Sequence, residues 1–271
     1  MASSDAKMPI YDIKASLQYC QEHKPIYQDM HMSLPLGQVT CILGQSGCGK
    51  SSFLKHLVGL EKRAFSSAIT ILDEAGNQKS ISQFRHNTAY MAQQDLLLPW
   101  LSVLDNVLLA FDLNRDLFKR KNKHNPFYLD KANSILNQVG LADKANENVD
   151  TLSGGMRQRV ALARTLIQDK DIILMDEPFS SVDAITRHKL QQLSCDLFKG
   201  KTVLLVTHDP QEALIMGHKL LMFKSMSATK HGALSSHFSD IPVPTQLPPR
   251  SIEQDLGRYH GHILNLMQAS L

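Results

Sequence analysis

The chain has 271 residues, of which 43% are hydrophobic and 20% are charged, so it can bury a substantial core in one large or two small domains. Its formal net charge of +3 is too small for a chain of this length to argue by itself for nucleic-acid binding. The composition is that of a globular protein.

Cysteine usage and the apolar windows bear on the cellular compartment. Four scattered cysteines lack the spacing of a metal knuckle or a disulfide framework, which favours a reducing compartment. The N-terminus has no basic segment followed by an apolar one, so we expect no secretion signal. The richest apolar window, residues 96–111, is interrupted by Pro99, Asp105 and Asn106, so we expect no membrane span.

The first elements in chain order are two β-like runs within residues 10–36. The second run alternates, with Ile26, Gln28 and Met30 on one face and Tyr27 on the other. Tyr19 lies in the turn predicted between the runs. An aromatic ring there can stack on a purine base or lie half buried at a strand end, and the sequence leaves both readings open.

A glycine-rich turn follows the apolar run at residues 39–43 and precedes a helix-compatible segment at residues 52–58. Successive backbone N–H groups and a helix N-terminus meet there, which makes an anion site suited to phosphate. Glycines let the loop approach phosphate oxygens, Lys50 supplies positive charge, and the Ser51 hydroxyl can ligate Mg²⁺. The alternative is a glycine-rich turn without a ligand. The phosphate loop comprises Gly44, Gln45, Ser46, Gly47, Cys48, Gly49, Lys50 and Ser51.

The chain then changes character. Residues 68–72 with Gly76 predict a β-hairpin, and residues 88–92 predict a strand that ends at Gln93 and Gln94. From residue 96 to residue 140 the pattern is helical, which indicates a helical insertion in an α/β domain. For the basic run at residues 119–124 we favour a solvated loop over a contact with an anion or a lipid headgroup.

Ser153, Gly154 and Gly155 open the next predicted helix. Ser153 fits the N-cap position, and the two glycines leave the first N–H groups of the helix uncovered. This implies a second helix end that suits phosphate. An ordinary capped helix is the alternative.

Two short apolar strands, at residues 172–175 and 202–206, end in polar side chains. Asp176 and Glu177 follow the first strand, and His208 follows the second. Ligands bind at the carboxyl edge of parallel sheets, where these residues are expected, although exposed acids without a ligand are the alternative. Since side chains alternate along a strand, one acid can face a metal and the other a water molecule. The alternation of strands and helices predicts a mostly parallel sheet covered on both faces.

Residues 224–271 differ from the preceding domain. They are polar and serine-rich to residue 240, proline-rich at residues 242–249, and then helical in pattern. We expect a segment that crosses the surface and one helix that docks on the body. The predicted domains are therefore residues 1–223, with a helical part at about residues 94–167, and an extension at residues 224–271.

Taken together, these motifs resemble the ATP-binding subunits of ABC transporters over residues 10 to about 223. The order and separation of the phosphate loop, Gln93, the Ser-Gly-Gly turn, the two acids and His208 carry the resemblance. Residues 97–100, residues 153–159 and Glu212 are similar to those of the importers for nitrate, sulfonates, taurine and thiamine-precursor pyrimidines. The resemblance implies an α/β P-loop NTPase core with a mostly parallel sheet, an antiparallel β subdomain and an inserted helical subdomain.

The resemblance also implies ATP and Mg²⁺ as cofactors and a role for each site residue. Glu177 would be the general base, with His208, Lys50 and Gln93 completing the catalytic set. Ser51, Gln93 and Asp176 would hold Mg²⁺, and Tyr19 would stack on adenine. The residues implied in nucleotide binding are Tyr19, Gly44, Gln45, Ser46, Gly47, Cys48, Gly49, Lys50, Ser51, Ser52, Ser153, Gly154, Gly155 and Asp183.

The implied partners are a second copy of the chain, membrane-spanning permease subunits and, indirectly, a solute-binding protein. Ser153 and Gly155 would complete the site of the other copy. The implied location is peripheral, on the cytoplasmic face of a bacterial inner membrane, and no nucleic acid is expected. A soluble ABC-type ATPase acting on nucleic acid or ribosomes is the alternative, but its members usually carry long coiled coils or two cassettes, and neither occurs here.

Three features depart from the family pattern. Gln45 stands where a proline is common, which we expect only to reduce preorganisation of the loop. Met156 stands where many relatives have glutamine, and we expect activity to survive. The insertion around residues 119–126 is longer than usual and can alter partner contacts.

Overall fold

Apolar runs and amphipathic segments alternate along the chain and form two sheets and several helices. The computed structural model describes residues 9–19, 26–62, 64–112, 125–228, 234–251 and 256–268. The basic run at residues 119–124 lies outside these residues. The strands are β1 Ile10–Tyr19, β2 Tyr27–Pro35, β3 Val39–Leu43, β4 Ala64–Leu72, β5 Gln78–Lys79, β6 Thr88–Met91, β7 Ile172–Asp176, β8 Thr202–Thr207, β9 Lys219–Ala228 and β10 Leu234–Ile241. The helices are α1 Lys50–Val58, α2 Ile81–His86, α3 Val103–Asp112, α4 Pro126–Gln138, α5 Gly154–Leu166, α6 Ala184–Leu197, α7 Pro210–Met216 and α8 Gly257–Gln268.

The larger sheet has the strand order β10-β9-β3-β8-β7-β6 and is parallel except for β10. Every residue of β3, β7 and β8 is buried. Continuous apolar runs are expected for parallel strands covered on both faces, so these three strands form the centre of the core. The predicted mostly parallel sheet is confirmed.

The smaller sheet is antiparallel, with the order β2-β1-β4-β5. The alternation predicted for β2 is wrong at its start. Tyr27 and Met30 are buried whereas Gln28 and Asp29 are both exposed. Asp29 has a φ of +50°, and its backbone N–H donates to Ser16 Oγ at 2.9 Å. The irregularity adds one residue to the period, which reverses the faces before Met30.

Tyr19 lies at the end of β1, where it pairs with Ala64, and not in a turn as the sequence pattern predicted. The strand therefore continues to the edge of the described segment. This places the ring of Tyr19 on the antiparallel sheet rather than on a loop.

The serine-rich segment after residue 223 is also structured, so the expectation of an irregular surface crossing is wrong. β9 extends to Ala228, and β10 pairs with it in antiparallel fashion. Phe238 of β10 packs edge to face against Phe53 of α1 and Phe223 of β9, with centroids 5.3 and 5.4 Å away. β10 also contacts β2. Two strands that are polar in composition thus join the two sheets through one aromatic side chain.

Helices α3, α4 and α5 pack on one another and form the predicted helical insertion. The rings of Phe111 and Tyr128 stack between α3 and α4 with centroids 4.1 Å apart. Among the described residues, none of the helices combines the length and apolar character that crossing a bilayer requires.

The C-terminal extension is fastened to α7 by a buried arginine. Arg250 is 3% exposed, and its Nη1 donates to the carbonyls of Leu214 at 2.6 Å and Gly217 at 2.8 Å. Its Nε donates to the Gln246 carbonyl at 2.7 Å. Helix α8 then docks on α7, as predicted, and buries Ile263 completely. One guanidinium therefore joins the end of α7 to the extension.

We expect Arg250→Met to lower the midpoint of thermal unfolding by about 5 °C or more. Losing the guanidinium leaves buried carbonyls unpaired at about 1–3 kcal/mol each, and each kcal/mol shifts the midpoint of a chain of this size by about 2–4 °C. Calorimetry measures the midpoint, and Arg258→Met at the exposed start of α8 is the matched control. Equal midpoints for the two variants would contradict the assigned role.

Candidate functional site

The phosphate loop joins β3 to α1, as predicted from its sequence. Gly47 and Gly49 have φ angles of +82° and +109°, which side-chain-bearing residues rarely adopt. A Cβ on Gly49 would also lie 3.0 Å from Ile26 Cγ2. Gly49 occupies the N-cap of α1 and has no side chain with which to cap it. The first N–H groups of α1 are therefore left for a ligand rather than for a capping side chain.

Lys50 lies inside this loop. Its side chain is 5% exposed, and its ammonium donates to the carbonyls of Gly44 and Gln45 at 2.6 Å each. Cys48 Sγ lies 3.7 Å from the same nitrogen. A buried ammonium without a carboxylate partner in these contacts is a strong local source of positive potential.

The two acids after β7 face different partners, as side-chain alternation predicts. Asp176 Oδ1 accepts from Ser51 Oγ at 2.8 Å. Glu177 Oε2 accepts from Gln93 Nε2 at 3.0 Å and lies 3.1 Å from His208 Nδ1. Burial raises the pKa of the Asp176 carboxyl, an effect that the Ser51 hydrogen bond opposes. The structure therefore brings the phosphate loop, both acids, Gln93 and His208 to one edge of the sheet.

Glu177 has an unusual backbone for a residue with a side chain. Its φ is +49°, its N–H donates to the Val206 carbonyl at 2.9 Å, and its own carbonyl accepts from Ser180. Residues in this conformation carry strain that the surrounding structure must offset. The neighbouring strand and the following turn hold the backbone so that the carboxylate faces Gln93 and His208.

Ser153 caps α5, as predicted, since its Oγ accepts from the Met156 N–H at 3.3 Å. A Cβ on Gly154 would lie 3.6 Å from the Ser181 carbonyl, and one on Gly155 would lie 3.6 Å from Val182. A cavity of about 650 Å³ opens beside Gly154 and reaches residues 93–96. In the part of the chain that the structure describes, these contacts run within α5 and to residues 181–182, and not to the phosphate loop.

A clamp from α5 holds the segment after Gln93, and sequence reasoning missed it. Arg157 donates to both carboxylate oxygens of Asp95, at 2.8 and 3.1 Å. Arg164 donates to the backbone carbonyls of Asp95 and Leu96. The guanidinium of Arg157 lowers the pKa of Asp95. An acid two residues beyond Gln93 was the available signal, but its partners lie on a distant helix.

The remaining predicted residues lie around this centre. The Tyr19 hydroxyl is 2.8 Å from Ser52 Oγ and 2.8 Å from Glu61 Oε2, so its ring is tethered to the end of α1 and the residues after it. Asp183 caps α6 by accepting from the Thr186 N–H at 3.0 Å, which lowers the pKa of its carboxyl. Both residues thus have structural contacts of their own.

Glu212 is a buried acid below His208 on α7. It is 4% exposed, and its Oε1 has no hydrogen-bond partner among the described residues. Burial, with the carboxylate of Asp209 as a second cause, raises the pKa of Glu212 to about 8, although the guanidinium of Arg187 opposes this. The group is therefore largely protonated at neutral pH.

Comparisons with known proteins support the same conclusion as the geometry. The model of the family described as ABC transporter matches residues 27–180. The chain is 35% identical over 248 residues to the taurine import ATP-binding protein TauB of Roseobacter denitrificans, which covers 91% of this chain and 88% of that protein. It is 38% identical over 204 residues to the aliphatic sulfonates import ATP-binding protein SsuB of Pectobacterium atrosepticum, with coverages of 74% and 70%.

Solved structures are similar as well. The dimeric structure of MJ0796, a bacterial ABC transporter cassette, aligns with a TM-score of 0.64 at 27% identity, over 78% of this chain and 93% of that one. A second structure of the same cassette is a dimeric post-hydrolysis state bound to ADP and Pi.

The raised pKa of Glu212 predicts a pH dependence of stability. The carboxyl titrates near 4.5 when unfolded and at about 8 when folded, so the unfolded chain loses this proton first and wild-type stability falls as the pH rises between these values. Glu212→Gln cannot ionise. We expect its unfolding free energy to gain about 3 kcal/mol on wild type from pH 5 to pH 8 and then to level off.

Urea unfolding at a series of pH values measures this difference. Exposed Glu74→Gln is the control and should keep a constant offset from wild type over the same range. If the Glu212→Gln and wild-type curves run parallel from pH 5 to pH 8, Glu212 does not hold its proton as described.

Proposed function

The chain belongs to the ABC transporter family of ATPases, and from that premise we propose that it is the ATPase subunit of an importer. It binds and hydrolyses MgATP between two copies and drives the uptake of a small solute through permease subunits. The observation that carries this proposal is the position of the Glu177 carboxylate between Gln93 and His208, beside an Asp176 that accepts from Ser51 of the phosphate loop.

The phosphate loop binds the triphosphate. Lys50 turns from the carbonyls of Gly44 and Gln45 to the outer phosphates, and the uncapped N–H groups at the start of α1 donate to phosphate oxygens. Tyr19, at the end of β1, stacks on the adenine ring. A buried ammonium and several backbone donors together offset the negative charge that the substrate carries into the site.

Mg²⁺ fits the oxygen donors of Ser51, Gln93 and Asp176, because this ion prefers hydroxyl, amide and carboxylate oxygens. Asp176 accepts the Ser51 proton, which leaves the lone pairs of the hydroxyl oxygen free for the metal. When bound, Mg²⁺ neutralises part of the charge on the β- and γ-phosphates.

Hydrolysis is an attack of water on the γ-phosphorus. Glu177 takes the proton of the attacking water while the new P–O bond forms and the bond to the ADP oxygen breaks. Gln93 orients the water, and His208 donates a hydrogen bond to the γ-phosphate. The side chain of Glu177 is only 14% exposed, so its alignment is set by these two neighbours rather than by solvent.

A second copy completes the site. The Ser153 turn contacts its own helix and residues 181–182, so its uncovered N–H groups are available to a nucleotide on the other copy. The similarity to a cassette whose structure is dimeric supports this arrangement. ATP then lies between the Lys50 loop of one copy and Ser153, with Gly154 and Gly155, of the other.

The segment after Gln93 passes the state of the nucleotide to the permease. Gln93 bonds to Glu177, and the clamp of Arg157 and Arg164 connects the same segment to α5. Leu96 and Trp100 are 59% and 67% exposed, which is the pattern of an apolar docking surface for a membrane subunit. A change at the γ-phosphate therefore alters which position of the helical layer is populated.

The proposed location is the cytoplasmic face of a bacterial inner membrane, where the subunit binds the permease. The solute belongs to the sulfonate, nitrate or thiamine-precursor pyrimidine class, and the names of the relatives favour a sulfonate such as taurine. Growth on each compound as sole source after deletion of the gene distinguishes these solutes. Co-purification with ribosomes or DNA, rather than with a hydrophobic membrane complex, would favour the soluble alternative.

We expect Glu177→Gln to bind MgATP and accumulate as a dimer, with hydrolysis reduced at least about 100-fold. The substitution keeps the shape of the side chain and removes the base, whose contribution is typically 10²–10⁴-fold. Phosphate release and gel filtration with MgATP measure the two effects. Glu74→Gln is the control, and near wild-type hydrolysis in Glu177→Gln would refute the role of the base.

We expect Lys50→Ala to lose MgATP binding by more than about tenfold, since the charge that faces the outer phosphates is gone. Isothermal calorimetry measures the affinity, and circular dichroism checks the fold. Lys14→Ala, on an exposed position of β1, is the matched control. Unchanged affinity in Lys50→Ala would mean that the loop does not hold the phosphates.

A further inference from the structure

The side chain of Gln45 leaves the phosphate loop and reaches the last helix of the chain. Its Nε2 donates to the Met267 carbonyl at 2.9 Å. Met267 lies in the final turn of α8, and carbonyls of a final turn have no N–H partner within their own helix. The Gln45 amide therefore caps α8 and connects it to the phosphate loop.

The backbone of the same residue holds the centre of the loop. The Gln45 carbonyl accepts from Lys50 Nζ at 2.6 Å and from the Cys48 N–H at 3.4 Å. A shift of Gln45 consequently moves an acceptor of the lysine that faces the phosphates. The side chain thus restrains, from outside the loop, the residue that organises it from within.

Helix α8 is a firm anchor for this bond. Ile263 is completely buried, and Tyr259 and Met267 pack against the same core cluster as Ala213 and Leu214 of α7. Helix α7 begins two residues after His208, and Arg250 holds its other end. The extension therefore contacts both the helix that follows His208 and the loop that contains Lys50.

We propose that Gln45 is a positioning residue for nucleotide binding, which holds the phosphate loop in its binding shape by its bond to docked α8. A proline at this position would fix φ through its ring, whereas glutamine leaves φ free and needs an external restraint. Gln45 therefore does more than reduce preorganisation, as its sequence alone suggested. This inference rests on the proposed function, because it concerns the same nucleotide site.

A double-mutant cycle on the full-length chain tests the connection. Gln45→Met removes the donor while it keeps the length and neutrality of the side chain, and Ile263→Ala loosens α8. We expect each variant to raise the KD for MgATP about fivefold, the typical value of one hydrogen bond, and the double variant to raise it no further. The change should appear in KM rather than in kcat, because the bond shapes the loop before chemistry. Exposed Asn265→Ala is the control.

Each result has one reading. Wild type without MgATP affinity refutes the proposed function, whereas equal KD values for wild type and Gln45→Met refute only this inference. A double variant weakened about 25-fold shows independent effects and overturns the link through α8. Gln45→Asn keeps the amide but shortens the reach, so it should match Gln45→Met, and this comparison holds even where Ile263→Ala fails to fold.

Discussion

The hydrogen bond from Ser51 to buried Asp176 joins the two halves of the site. It connects the first turn of α1 to the end of β7, so the phosphate loop and the acid pair cannot move independently. Asp176 is 1% exposed, and a buried carboxylate is tolerated only where donors offset the loss of water. Because this contact fixes Asp176, the next residue, Glu177, is turned toward Gln93 and His208 and away from α1.

Much of the centre was predictable because its signals are local. The glycines before Lys50, the apolar run before Asp176 and the serine before Gly154 each specify a turn, a strand or a cap within a few residues, and the structure has these elements. Parallel topology then brings the strand ends to one edge. This general rule, and not the composition, placed His208 near Glu177.

The features that sequence reasoning missed depend on distant partners or on a broken period. Asp95 meets Arg157 across 62 positions, and Gln45 meets Met267 across 222. No local pattern encodes such pairs. The burial of Tyr27 was missed because the irregularity at Asp29 reverses the alternation, and β10 was missed because serines hide a strand whose apolar contact is one phenylalanine.

The pairing of β3 with β8 and β9 has a consequence for biosynthesis. β3 carries the phosphate loop, but both strands that flank it are made much later by the ribosome, and the helix that contacts Gln45 is made last. Contacts this far apart in sequence form late in folding. The nascent chain consequently cannot assemble its ATP site until almost all of it has emerged, so a prematurely terminated product consumes no nucleotide.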